Sequence, residues 1–242
     1  MKICVAQTKP VKGDISVNIK NHKTLIDFAI SHKANAIFFP ELSITSYEPE
    51  LVQNLVTSLD DKQFNGFQEI SNANNITIGI GVPTKSNEGI LISMIVFQPN
   101  KSRQIYSKQQ LHSDELPYFV CGNNQLILTI DGIRIAPAIC YESLQSSHSE
   151  EVNRLGADIY IASVAKSQNG VNKAAVHYPE VAKKYNMTVL MSNSVGPCDD
   201  FECVGNSAIW NTKGELLAQL NATQEGILVF DTETQEVIEH VV

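Results

Sequence analysis

LILTIDGIRIAPAICYESLQSSHSEEVNRLGADIYIAS, residues 126–163, holds the alternation of elements from which the fold class follows. Two apolar segments, 126–130 and 133–139, flank Asp131-Gly132, a dipeptide suited to a type I′ hairpin because both central residues of that turn take positive φ. The second segment runs straight into Cys140. The polar stretch beyond it predicts a helix over about 143–155, and ADIYIAS at 157–163 predicts a further strand rich in β-branched residues.

The same alternation extends in both directions. Toward the N-terminus, KICVA at 2–6 is a short apolar strand and 14–31 reads as a helix. Ile15, Ile19, Leu25, Ile26, Ala29 and Ile30 share one face of that helix, and Asp14 is placed to cap it. AIFFP at 36–40 is too short for a helix and reads as a buried strand ending on Glu41. A helix near 62–73 precedes strands at 76–82, 89–98 and 102–107, the last stopping before Lys108. Beyond 163 come a helix at about 172–186, a strand at 187–195, and strands near 206–211, 215–220 and 226–231. No linker-like stretch or internal repeat divides the chain, so residues 1–242 are expected to form a single domain of mixed sheets covered by helices.

Composition excludes several functions. The 18 basic and 26 acidic side chains give a net charge of −8, the wrong sign for a surface that neutralises nucleic-acid phosphates. No apolar run is long enough to cross a bilayer, and the N-terminal MKICVAQTKP makes a poor signal peptide. A cytoplasmic protein with no membrane or nucleic-acid partner is expected. Five scattered cysteines, at 4, 121, 140, 198 and 203, do not form a secreted disulfide framework. Cys198 and Cys203 lie among acidic residues, but without a second ligand pair they read as loop thiols and not as a metal site.

Three reactive side chains occupy one kind of address, the point where a buried strand gives way to a loop: Glu41, Lys108 and Cys140. Each has an ordinary alternative when taken alone. Cys140 can be a core cysteine, Glu41 a solvated loop residue, and Lys108 an exposed strand-end lysine. A helix N-terminus after Cys140 would lower the thiol pKa and present N–H groups to an oxyanion. Apolar neighbours would raise the Glu41 pKa toward that of a general base. His112 and His177 leave open a Cys–His arrangement.

VKGDISVNIKN, FFPELSITSY, the lysine before QQLHSDELPYF, IAPAICYES, RLGADIYIASVA and GNSAIWNTKGELLAQL follow one another in an order that resembles the nitrilase, or carbon–nitrogen hydrolase, superfamily across nearly the whole chain. The resemblance implies an α+β fold, a four-layer αββα sandwich, usually paired into a homodimer or higher homo-oligomer. It implies catalysis without cofactor or metal: Glu41 as general base, Lys108 and the Tyr141 N–H as oxyanion donors, Cys140 as nucleophile, and Glu115 as a second glutamate lining the site. The reaction it implies is hydrolysis of a small amide-like substrate at a non-peptide carbon–nitrogen bond, through a Cys thioester. An acyltransferase on the same triad, or a binding protein that keeps the fold, are the alternatives. The sequence departs from many hydrolytic members in lacking an arginine shortly after the nucleophile, since none occurs before Arg154.

Overall fold

The computed structural model describes residues 1–242. Its first part runs β1 (Lys2–Gln7), α1 (Ile15–Ser31), β2 (Ala36–Phe38), the short α2 (Val52–Leu55), α3 (Asn65–Asn74), β3 (Thr77–Lys85), β4 (Ile90–Phe97) and β5 (Gln104–Ser107). There follow β6 (Leu128–Ile130), β7 (Ile133–Ile139), α4 (Ser146–Arg154), β8 (Ile159–Val164), α5 (Gln168–Tyr185) and β9 (Thr188–Asn193). The chain closes with β10 (Val195–Cys198), β11 (Phe201–Val204), β12 (Ala208–Trp210), β13 (Leu216–Gln219), β14 (Gly226–Asp231) and β15 (Val237–Val241).

These strands make a seven-stranded sheet, β15-β14-β1-β2-β3-β4-β5, and a six-stranded sheet, β13-β12-β9-β8-β7-β6, with β10-β11 as a separate hairpin. Period-two alternation decides what each sheet face meets. Ile3 and Val5 of β1 join Ile135, Ile139, Ile161 and Leu190 in the core between the sheets. Cys4 and Ala6, one residue out of phase, face Leu25, Ile26 and Ala29 of α1. On the second sheet, Ala136, Ala138 and Ala162 point outward to Val152 of α4 and Ala174, Tyr178 and Val181 of α5. Helices therefore cover both outer faces, and the result is the expected αββα sandwich. No helix is long and apolar enough to cross a membrane.

Asp14 caps α1 as expected, its carboxylate accepting from the Val17 N–H at 3.0 Å. The Asp131-Gly132 turn has φ of +49° and +81°, as a type I′ hairpin requires. Elsewhere the structure corrects the sequence reading. The helix expected over about 143–155 is α4, but it starts only at Ser146, and a 3₁₀ turn, Cys140–Leu144, separates it from Cys140. The apolar stretch 187–195 divides after Asn193: Ser194 bridges to Thr8, and the chain turns into the β10-β11 hairpin. Cys198 and Cys203 are accordingly buried strand residues, their sulfurs 2.7 Å apart, and not loop thiols. The edge strand β15 escaped detection because VIEHV alternates weakly and is largely exposed.

Candidate active site

Glu41 lies at the turn after β2, where the chain passes over β3 at Gly81. A Cβ at Gly81 would stand 2.2 Å from the Pro40 carbonyl oxygen and 2.6 Å from the Leu42 nitrogen, so only glycine allows this approach. The turn is also held from α1. His22 stacks on Phe39 with ring centroids 4.1 Å apart, and its Nε2 lies 2.9 Å from Ser43 Oγ.

Lys108 extends the β5 pairing, its N–H donating to the Ile92 carbonyl at 2.9 Å while its own carbonyl accepts from Gly122 at 2.7 Å. The backbone is thus fixed and the side chain is directed inward, where it is fully buried. Its ammonium donates to Glu41 Oε1 at 2.7 Å and to Glu115 Oε1 at 2.5 Å. Glu115 is held in turn by the Tyr47 hydroxyl at 3.1 Å and the His112 N–H at 2.7 Å. The sequence therefore identified three residues, Glu41, Lys108 and Glu115, that meet in space.

Burial raises the pKa of the Glu41 carboxyl, an effect that Lys108 partly offsets. Burial alone would lower the pKa of Lys108, but Glu41, Cys140 and Glu115 outweigh it and hold the ammonium above the ordinary lysine value. The second Glu41 oxygen, Oε2, is buried with no hydrogen-bond partner, leaving it free to receive a proton.

Cys140 terminates β7 with φ of +45°, in the left-handed region that side chains other than glycine seldom occupy. Such a backbone costs on the order of 1–3 kcal/mol and persists only where neighbours enforce it. Here Glu142 enforces it. Its buried carboxylate accepts from the Ile139 N–H at 2.8 Å, the Gln109 N–H at 2.6 Å and the Tyr106 hydroxyl at 2.6 Å. One side chain thereby ties the Cys140 turn to the segment after Lys108. Burial pushes the Glu142 carboxyl up to about 6 against these bonds. Ser143 adds a second tie, its Oγ bonded to the Cys140 carbonyl at 2.5 Å and to the Tyr178 hydroxyl of α5 at 2.6 Å.

The thiol does not sit at the N-terminus of a long helix, and its pKa is not depressed. Burial and Glu41 push it up to about 11, with Lys166 and Lys108 pulling the other way. A reactive thiolate here would need a base and nearby cations. Cys140 opens onto a pocket of about 540 Å³ whose walls include Lys108, Glu115, Tyr141, Lys166 and Phe201. His112 and His177 also line it. The His112 ring bonds to Asp114, and neither imidazole hydrogen-bonds to the thiol. Glu142 and Lys166 were missed by sequence reasoning. The signal for Glu142 was its position two residues beyond the nucleophile candidate, just before the helix read over about 143–155.

The carbon–nitrogen hydrolase family profile matches residues 2–239. The chain belongs to this family. Among curated relatives, the glutamine-dependent NAD(+) synthetase of Acinetobacter baylyi is 26% identical over 235 residues, covering 93% of this chain and 42% of the relative. That of Thermotoga maritima is 23% identical over 246 residues, covering 98% and 42%. The chain thus spans less than half the length of these relatives. Among solved structures, the NitN amidase from Nesterenkonia sp. AN1 superposes with a TM-score of 0.87 at 21% identity, over 96% of this chain and 92% of that one. A mutant of that amidase in complex with butyramide gives 0.88 at 20% identity, over 97% and 92%. The four-layer fold of this carbon–nitrogen hydrolase is therefore that of nitrilase-superfamily amidases.

Proposed function

We propose that the protein is a cytoplasmic amidase that hydrolyses a non-peptide carbon–nitrogen bond of a small substrate through a thioester on Cys140. The observation that carries this reading is that Lys108, paired with buried Glu41 at 2.7 Å, lines the pocket into which Cys140 opens. Glu41 Oε2 takes the thiol proton and the thiolate attacks the amide carbon. Lys108 and the Tyr141 N–H stabilise the oxyanion, with Glu115 fixing the Lys108 ammonium. The protonated Glu41 returns its proton to the departing amine. Water, deprotonated by Glu41, then releases the acid and restores the thiol. Each residue uses only protons and electron pairs already present, and no cofactor enters the cycle.

A mutant of the Nesterenkonia amidase is seen in complex with butyramide, and the longer relatives are named for glutamine, so both kinds of amide belong in the test. Ammonia release from butyramide, glutamine, ureido acids and nitriles is measured with the wild type and Cys140→Ala. Release from at least one amide that Cys140→Ala abolishes supports the reading. Release that survives in Cys140→Ala overturns it.

The same reading includes a homodimer. Exposed Val176 on α5, 73% accessible, is a candidate contact. Light scattering is expected to give a particle near twice the 26.7 kDa chain mass.

A further inference from the structure

Lys166 lies two residues beyond β8 and is only 4% exposed. Its backbone is clamped on both sides. The N–H donates to Asn193 Oδ1 at 2.8 Å, and the carbonyl accepts from Asn193 Nδ2 at 3.2 Å and from the Val204 N–H at 3.1 Å. Its stem lies against Gly170 in the first turn of α5, where an added Cβ would come within 3.0 Å of Lys166 Cβ and 3.1 Å of its Cγ. A larger residue at 170 would crowd that stem. The ammonium so delivered has a single hydrogen-bond partner, Cys140 Sγ at 3.9 Å, and no carboxylate within ion-pairing distance.

A nearly buried ammonium without a carboxylate is costly unless an anion meets it during function. The site supplies that anion. Around the thiol, Glu41 and Glu115 set two carboxylates against the single ammonium of Lys108, so a thiolate formed there would add a third negative charge. We propose that Lys166 is a second catalytic cation, whose ammonium pairs with the Cys140 thiolate and leaves Lys108 to the carboxylates and the oxyanion. The inference rests on Cys140 being the nucleophile. In the step concerned the thiol proton passes to Glu41 Oε2, while Lys166 stays protonated and forms no covalent bond. The charged and titratable groups facing the thiol are Glu41 after β2, Lys108 and Glu115 after β5, and Lys166 after β8. Around the pocket stand Tyr47, His112, Asp114 and Tyr141, with Lys173 and His177 on α5, and Tyr178 of α5 lies behind the Cys140 turn.

The test is the pH dependence of Cys140 alkylation by iodoacetamide, read on the Cys140 peptide by mass spectrometry so that exposed Cys121 does not contribute. It needs no substrate. Lys166→Met is expected to raise the midpoint by about one pH unit or more, making alkylation roughly tenfold slower at a fixed pH below it. Lys166→Gln is expected to do the same, and Lys166→Arg to restore most of the wild-type profile. Lys173→Met, a charge change in the same pocket away from the sulfur, is expected to leave the midpoint in place. Thermal melting establishes that each variant is folded, and Lys166→Gln stands in if Lys166→Met is not. An unmoved midpoint in a folded, charge-removing variant overturns the proposal. So does an equal shift in Lys173→Met, which would mean a diffuse pocket field. A loss confined to KM for carboxylate-bearing amides, with the profile unmoved, would make Lys166 a substrate contact instead. Failure of Cys140→Ala to abolish ammonia release would remove the functional reading itself, a result separate from any of these.

Discussion

Lys108 Nζ lies 2.7 Å from Glu41 Oε1, and neither side chain exposes any surface to solvent. With Glu115 on its other side, Lys108 is the one cation between two buried carboxylates. Lys108→Met is a size-matched change, yet the burial of the pair makes it costly. Two carboxylates left facing each other without a cation should cost about 3–5 kcal/mol, measured by urea unfolding. A loss below about 1 kcal/mol would mean that the pair contributes little to the folded state.

Glu41→Gln is the cleaner probe of chemistry, because Lys108 keeps Glu115 as its partner. Removal of the base should lower amide turnover by at least about 100-fold with little change in Tm. Activity within tenfold of wild type would exclude Glu41 as the base.

The histidines that line the pocket should matter little. His112→Asn and His177→Asn are each expected to change turnover by less than about tenfold, or roughly 1.4 kcal/mol. Steady-state kinetics on the best amide decides this. A folded, inactive variant at either position would favour a Cys–His mechanism.

Glu142→Gln replaces an acceptor of backbone N–H groups by a side chain that must turn an NH₂ toward some of them. At a fully buried site that unsatisfied group should cost about 1–3 kcal/mol and should slow Cys140 alkylation as the turn loosens. An unchanged Tm and alkylation rate would show that Ser143 alone suffices to hold the turn.

His22 provides a test with a definite sign. Burial lowers its pKa from 6.5 to about 3, so the unfolded chain binds a proton that the folded protein refuses. Its contribution is fully present above about pH 6.5 and is lost as pH falls through the interval toward about 3, with about 2 kcal/mol gone by about pH 5. The stability gap between wild type and His22→Gln should therefore be widest near neutrality and shrink on acidification, as read by urea unfolding at the two pH values. A gap that widens at low pH would contradict the buried neutral imidazole.

The parts of the fold legible in the sequence were those with strong periodicity. The apolar runs of β1, β7 and β8 and the helical face of α1 identified elements, while the four-layer order came from the family resemblance. Strand ends then identified Glu41, Lys108 and Cys140. What escaped depends on contacts distant in the chain. Glu142 looks like a helical glutamate until Gln109 and Tyr106 are folded against it, and Lys166 looks like a surface lysine until Asn193 and Gly170 enclose it. The β10-β11 hairpin was hidden because only Ser194 separates β10 from β9, so that 187–195 reads as one strand. The helix expected over about 143–155 is present as α4 but starts later for a local reason: Cys140, at positive φ, opens a 3₁₀ turn, and only past Gln145 does the chain enter an α-helix.

The most direct test of the mechanism is the mass of the intact protein quenched during turnover of its best amide. A rise equal to the acyl group, mapped to the Cys140 peptide and absent from Cys140→Ala, is the expected result. Turnover with no adduct in the quenched wild type, and undiminished in Cys140→Ala, would contradict a thioester on Cys140.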